Sequence, residues 1–453
     1  MEHPWQRLFW FLFGLEGRVS RRQYLVTGSA LMALKYAGDC ALSFAARGEM
    51  FTPWQYLSPV SALRLDGATL PGWAVFAMVV WALPFLWIGL GMSLRRALDA
   101  DKPPATALLF LVPIINLLVI AGLAIVPSQP LELEPGLALH AHERSFQETR
   151  IRIASVVGGA FLSVALAGLS VLVLGEYAGG LFLGTPAVIG FLAGWLSNRR
   201  ERRSFRATMG LATVVAFSAS GALLLFALEG IVCLVMAFPL VLLATWLGAA
   251  MGRAWATRVG GPQVVMMLLS LPILMGAEHQ VRDQAPLREV VSEVTIAAPP
   301  EVVWQNVIGF SELPPPNELL FAFGFAYPVR AEIRGEGVGS VRHCVFSTGP
   351  FVEPITVWEP PHRLAFDVTE QPPGMRESSP YNHVYAPHLE DYPQSERGEF
   401  RLLRTPNGHT RLIGTTWYRL ELFPQIYWTP MSDVAIHAIH ERVLAHIKAL
   451  SER

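Results

Sequence analysis

Between residues 24 and 277 one apolar run follows another, and this pattern constrains the rest of the chain. A helix needs about 20 mostly apolar residues to cross a bilayer. Runs at 24–46, 73–94, 105–126, 151–174, 178–196, 207–228 and 231–251 have about that length. A shorter run, 264–277, spans only if the bilayer thins around it. Only 16% of the residues are charged while 52% are hydrophobic, against roughly 25% charged in an average soluble domain. The deficit lies in residues 1–280, and residues 281–453 read as soluble. The expected fold is multi-domain: an α-helical polytopic membrane bundle followed by an α+β domain. The expected boundaries are a membrane domain with an interfacial segment at 1–126, a polar linker at 127–150, a second helical membrane region at 151–280 and the soluble domain at 286–453.

A formal net charge of −1 gives no reason to expect a nucleic-acid partner. Cys40, Cys233 and Cys344 lie far apart, the first two in apolar runs, so no disulfide framework is expected. Residues 4–15, PWQRLFWFLFGL, are too short to span; their rings and basic residues suit the headgroup layer. Arg18, Arg21 and Arg22 follow that stretch rather than precede it, which is not a cleavable signal pattern.

Basic loops set topology. Arg18, Arg21 and Arg22 place the N-terminus in the cytoplasm, and the loop with Arg199, Arg200, Arg202, Arg203 and Arg206 belongs there too. Five full spans between them would put that loop outside, so one run does not cross. Residues 105–126, broken by Pro113 and Asn116, are the expected re-entrant pair of half-helices. If the run at 264–277 then crosses, the soluble domain lies outside the cytoplasm; if that run does not cross, the domain is cytoplasmic. Gly158, Gly159, Gly190 and Gly194 predict close helix packing in lipid. Lys35 and Asp39 stand one turn apart near the middle of the first run. Charges there are costly, so the pair is either a functional site or a mutually neutralising packing pair. Asn116 and Glu229 carry weaker signals.

Gly17-Arg18, Arg21 and Tyr24 before the first run, with Arg95-Arg96 and Asp99 after the second, form G-R-x-x-R-x-x-Y and R-R-x-x-D patterns. They resemble the bacterial inner-membrane family called domain of unknown function 805, over about residues 8–126. Leu98 stands where that family usually has His, and Pro103-Pro104-Ala105 where it has S-G-W. The resemblance implies an inner-membrane location and brings no chemistry with it.

The soluble part opens with Val290, Val294 and Ile296 among polar residues, a strand pattern. Pro299-Pro300 ends it, and Glu301 favours a helix N-terminus. Val303, Val307 and Phe310 follow at helical spacing, with Trp304 beside them. Strand, double proline and Trp-bearing helix resemble the opening of the SRPBCC (START-like, helix-grip) superfamily, which includes polyketide cyclases and dehydrases, over about residues 288–450. That resemblance implies a curved antiparallel sheet gripping a long C-terminal helix, often around a cavity. Further strands are expected at 329–335, 337–347, 351–359, 363–370, 398–405 and 410–422. Gly335-Glu336-Gly337, Pro360-Pro361 and Asn407-Gly408 are turn signals between them. Residues 321–327 read as an aromatic loop or short helix, and 371–394 as an ordered loop or lid. A closing helix is expected at 430–450, with Ile436, Ile439, Val443, Ile447 and Leu450 as its apolar stripe.

His440 falls in that stripe, with His437 and His446 at its edges. It is either a polar anchor in a cavity wall or a satisfied core histidine. Phe366, Phe400, Trp417 and Tyr418, with Tyr427 and Trp428, supply aromatic surface for core or cavity. His383, His388, Glu390 and Asp391 cluster in the long loop, but their spacing matches no zinc motif, so no metal site is assigned. No Ser-His-Asp set, nucleotide-binding glycine motif or HExxH is present; no catalytic residue and no cofactor are assigned. The expected ligand-binding residues are His440, Phe366, Phe400, Trp417 and Tyr418. The expected partners are membrane lipids and a hydrophobic small molecule. The alternatives are a membrane-tethered cyclase/dehydrase-like enzyme and a non-binding interaction module. Cavity volume separates the interaction module from the other two readings: an open pocket of about 300 Å³ or more is expected for a ligand.

Overall fold

A computed structural model describes residues 3–53, 70–129, 139–258, 260–281, 285–379, 388–391 and 393–453. They fall into two compact units, one within Met1–Val281 and one formed by Arg282–Ser378 with Pro387–Arg453.

In the first unit, α1 (Pro4–Phe13) is short and buries no side chain. Helix α2 (Arg21–Arg47) starts at Ser20, whose hydroxyl accepts from the Gln23 backbone N–H, and stops at Gly48 in the left-handed region. Its 27 residues rise about 40 Å, enough to cross a bilayer. Helix α3 (Gly72–Asp99) packs beside it. The run at 105–126 is broken, as expected: α4 (Ala105–Leu108) and a 3₁₀ turn, then α5 (Ile115–Ile125), with Ile114 at φ 70° after Pro113. The chain returns to the end it left, where the Gln129 N–H donates to the Asp99 carbonyl at 2.9 Å.

The Arg95-Arg96…Asp99 pattern holds this hairpin. Arg96, fully buried, donates to the carbonyls of Leu123 and Val126 and to the Asp99 carboxylate. Arg95 donates to the carbonyls of Phe11 and Gly14, at 2.8 and 3.0 Å. Arg18 reaches the Gln129 carbonyl, and the Tyr24 and Ser93 hydroxyls meet at 2.8 Å. Every described residue of both sequence patterns named above, apart from the turn at Gly17 and the helix start at Arg21, therefore works on this one junction.

Helix α6 (Leu139–Ala167) continues as a π-helical turn to Val173. It begins inside the stretch expected to be linker. Helix α7 (Thr185–Asn198) follows a π-helical turn at Gly180–Gly184. Then come α8 (Phe205–Leu225), α9 (Ile231–Trp255) and α10 (Gly261–Val281). The run at 264–277 is thus part of a full-length helix. Among the described residues, six helices are long and apolar enough to cross a membrane: α3, α6, the segment Gly180–Asn198, α8, α9 and α10. Helix α2 matches them in length but carries Lys35 and Asp39.

Ion pairs fix which ends lie together. Glu16 meets Arg150 at 2.6 Å, Glu148 meets Arg203 at 3.7 Å, and Arg253 donates to the Arg203 carbonyl. At the other end the N–H groups of Gly179 and Gly180 donate to Glu278, and His279 meets Glu176 at 2.9 Å. The chain therefore enters the bundle at an arginine-rich end and leaves it, after α10, at the opposite one.

Helices α7 and α9 approach to backbone contact. A Cβ on Gly190 would lie 2.0 Å from the Thr245 carbonyl oxygen, and one on Gly194 2.2 Å from that of Ala249. Reciprocally, Gly248 faces the Ala187 carbonyl and Gly252 that of Phe191. Small residues four apart on both helices permit this. Gly190→Leu or Gly248→Leu should cost more than the about 1–3 kcal/mol of ordinary overpacking. Gly210→Leu, with nothing within 4 Å of its Cβ, should be neutral. Melting temperatures of the three variants in one detergent check this; equal values would refute the backbone-contact account.

The second unit has a 7-stranded antiparallel sheet in the order β1-β7-β6-β5-β4-β3-β2. The strands are β1 (Arg288–Ile296), β2 (Pro328–Arg334), β3 (Val341–Phe346), β4 (Gly349–Glu359), β5 (Arg363–Asp367), β6 (Gln394–Arg404) and β7 (Thr410–Arg419). Between β1 and β2 come α11 (Pro300–Ile308), starting at the double proline, and α12 (Leu319–Ala322). After β5 comes a turn of helix, α13 (His388–Asp391). The closing helix α14 (Gln425–Ser451) begins earlier than its apolar stripe suggests and takes Pro430 into its interior. Strand β5 stops at Asp367, short of the expected 370, and β6 starts at Gln394 rather than 398. Val443, Leu444 and Ile447 of α14 join Ile296, Val303, Leu364, Leu402 and Leu412 in the core, and Trp304 stands edge-on to Trp358. The curved sheet with its long C-terminal helix is the helix-grip architecture.

Candidate functional site

The site begins with strand parity. In β3, Arg342, Cys344 and Phe346 alternate inward. Glu353 lies directly across on β4. Their side chains are 2% and 7% exposed and form an ion pair, so both charges are taken out of water together. Three rings surround the guanidinium: Phe310 at 5.6 Å, Phe366 at 5.3 Å and Phe400 at 5.7 Å. Burial acts to lower the Arg342 pKa, but Glu353 and Cys344 together more than offset it and hold the pKa above its ordinary value. Burial, reinforced by Glu353, pushes the Cys344 thiol up to about 12, so this cysteine is not a thiolate nucleophile.

His440 projects from α14 toward β7 and β1. Its Nε2 lies 2.7 Å from Thr416 Oγ1 and its Nδ1 3.1 Å from Ser292 Oγ. Ser292 Oγ lies 2.8 Å from Nδ1 of the exposed His437. Burial, helped by the neighbouring His437, lowers the His440 pKa to about 4. The ring is therefore neutral at pH 7, with one nitrogen donating and the other accepting. His440 is at once hydrogen-bonded through both nitrogens and part of a cavity wall.

That cavity encloses about 120 Å³ between sheet and helix. Phe346, Phe351, Phe366, Phe400, Ile436, Ile439 and Val443 contribute to its apolar wall; Arg342, Glu353, Thr416 and His440 are among its polar groups. Glu399, next to Phe400 on β6, turns to the other face of the sheet and pairs there with Arg363 at 2.8 Å.

Of the five expected ligand-binding residues, Phe366, Phe400 and His440 line this cavity. Trp417 and Tyr418 do not. Trp417 stacks under the Arg397 guanidinium at 4.0 Å, and Tyr418 is fully buried with its hydroxyl donating to Asp433 at 2.6 Å. Burial, then the Asp433 carboxylate, raises the Tyr418 pKa. Lys35 and Asp39 do meet on α2, Nζ to Oδ2 at 2.5 Å. Of the loop cluster, His383 and the side chains of Glu390 and Asp391 lie outside the described residues. The sequence reading missed Arg342, Glu353 and Thr416. For Arg342 a signal was present: it shares parity with the apolar Cys344 and Phe346.

Residues 12–134 match the model of a family described as "Protein of unknown function (DUF805)". No curated protein matches the chain. Solved structures similar to it include an aromatase/cyclase, Zhui, from Streptomyces sp. R1128, at 18% identity and a TM-score of 0.25, covering 37% of this chain and 95% of that one. A truncated norcoclaurine synthase from Thalictrum flavum gives 13% identity and a TM-score of 0.24, covering 37% of this chain and 96% of that one. A protein from Nitrosospira multiformis gives 15% identity and 0.24, covering 36% and 94%.

The histidine makes folding pH-dependent. In the unfolded chain its imidazole titrates near 6.5; in the folded domain it titrates at about 4. Between these values the unfolded state binds the proton and the folded state does not. Its contribution is therefore complete above pH 6.5 and is lost as pH falls toward 4. The loss should be at most about 3 kcal/mol, and His440→Gln should flatten that part of the curve. Denaturant titrations of the full chain across this range measure it; an unchanged slope in the variant would refute the assignment.

Proposed function

We propose that this chain is a multi-pass inner-membrane protein of bacteria whose helix-grip domain, on the extracytoplasmic side, binds a small hydrophobic molecule bearing one oxygen acceptor. The reading rests on one observation: a cavity in the core holds a buried Arg342–Glu353 pair ringed by phenylalanines. A buried ion pair adds little stability over apolar residues of similar size. Its value is recognition, and the Arg342 Nε has no hydrogen-bond partner among the described residues. A cavity of 120 Å³ is close to the about 150 Å³ that accepts benzene and well below the 300–1,000 Å³ of drug-sized sites. The ligand, or the part of it held here, is thus about one ring in size. A whole lipid does not fit this volume.

Two points support the extracytoplasmic placement. Arg150, Arg203 and Arg253 gather at one end of the bundle, and the chain leaves at the other. Basic loops favour the cytoplasm.

The small volume also favours a second reading, a module that binds nothing. Variants separate the two. Arg342→Met alone strands Glu353 in the core and should cost about 3–5 kcal/mol. Arg342→Met with Glu353→Leu should recover most of that stability. Saturation-transfer NMR with benzaldehyde on the full chain in nanodiscs should give a signal that the double variant loses. No signal from the wild-type chain, or an equal one from the double variant, would leave only the non-binding module.

A further inference from the structure

The closing helix α14 has two apolar faces in its first turns. One points into the domain, with Trp428 and Ile436. The other holds Ile426, Pro430 and Val434 in a single stripe about 12 Å long. Ile426 is 88% exposed and Val434 62%, and Pro430 is exposed with them. Farther along the helix the same outward face carries His437, Glu441 and Lys448, as an ordinary solvated helix does. The apolar exposure is therefore confined to one end.

Two more exposed apolar residues share that end. Phe423 precedes α14, and Leu287 precedes β1, whose first residue pairs with Tyr418 near the end of β7. Hydrogen bonds tie this corner together. Arg419 donates to the Ala285 carbonyl at 2.6 Å, and Gln425 and the Trp428 indole donate to the carbonyls of Leu420 and Phe423, both at 3.2 Å. Between Leu420 and Ser432 the one charged residue is Glu421. Asp433, next along, accepts from Tyr418 and faces Arg288. A lone exposed leucine needs no explanation, but apolar side chains gathered at one fixed corner mark an interaction surface.

The connectivity of the chain brings a lipid surface to this corner. Helix α10 is long and apolar enough to cross a membrane, and it ends at Val281. Ala285 comes four residues later, so the corner begins within about 14 Å of the end of that span. So short a tether holds the bilayer at high effective concentration. Apolar side chains beside Tyr427 and Trp428 suit the headgroup boundary. The stripe of Ile426, Pro430 and Val434 holds no basic residue, which favours apolar insertion over attraction to anionic lipid. We propose that this corner of the helix-grip domain docks on the bilayer, with Leu287, Phe423, Ile426, Pro430 and Val434 set into the headgroup layer. The docking does not rest on a ligand in the domain's cavity.

Two measurements on the full chain in phosphatidylcholine nanodiscs test this. In the first, the native chain is photolysed with a phosphatidylcholine that carries a diazirine near its headgroup, and the labelled peptides are mapped. The peptide holding Phe423–Val434 should be labelled. Ile426→Asp, at a side chain turned outward, should leave the domain folded and reduce that labelling severalfold, while labelling of α10 persists. In the second, Cys40, Cys233 and Cys344 are replaced by Ala and a nitroxide is placed on Ile426→Cys, Val434→Cys or Glu441→Cys. The first two labels should collide severalfold more with oxygen, which dissolves in lipid, relative to a water-soluble nickel chelate, than the label on Glu441→Cys does. Added phosphatidylglycerol or salt should leave that contrast unchanged. No labelling of the 423–434 peptide in the native chain, or equal nickel access at Ile426 and Glu441, would overturn the docking. Lipid contact that appears only with phosphatidylglycerol would overturn apolar insertion, and spin–spin broadening at Ile426 would make a second copy of the chain the occupant instead.

Discussion

The membrane unit depends on how a buried arginine answers an old demand of the bilayer: backbone carbonyls at a helix end need a donor. The hairpin of α4 and α5 ends inside the bundle, and Arg96 takes the carbonyls of Leu123 and Val126. Its charge is in turn matched by Asp99, one turn along the same helix. Because both residues sit on α3, the span and the hairpin are one assembly. The hairpin's return to the same end also decides the parity of every later helix of the membrane unit.

The helix-grip unit rests on a comparable bargain in a different solvent. Its core is mostly aliphatic and aromatic, yet Arg342 and Glu353 lie within it, opposite one another on paired strands. The strands and the rings of Phe310, Phe366 and Phe400 leave little freedom to the guanidinium. His440 faces the same cavity from the helix side with both nitrogens engaged. The polar groups are thus held by partners before any ligand arrives, which is the state in which binding orders least.

Where local rules suffice, the sequence is legible. Pro299-Pro300 set the start of α11, Asn407-Gly408 the β6–β7 hairpin with Gly408 at φ 77°, and Pro113 the break before α5. The apolar stripe of α14 placed His440 in the cavity wall. Other features depend on partners far along the chain. Trp417 and Tyr418 look alike as aromatic surface, but the β6–β7 register with its bulge sends one against Arg397 and the other to Asp433. Arg342 shares the parity of Cys344 and Phe346, but its partner is fixed only when β4 places Glu353 beside it. The linker end at Leu139 is helical because α6 simply extends beyond the apolar run that marks its membrane part. Length was the weak guide at 264–277, where α10 continues past its most apolar residues.

The contact between α7 and α9 bears on how this protein can change. In most packed interfaces a larger side chain on one element can be accommodated by a smaller one opposite. Here the obstacle facing Gly190, Gly194, Gly248 and Gly252 is in each case a carbonyl oxygen of the other helix. No substitution can shrink a peptide bond. A change at any of these four positions therefore has no compensating partner across the interface, and only a shift of one whole helix can relieve it. Drift in sequence can proceed along the lipid-facing sides of both helices while this seam stays fixed.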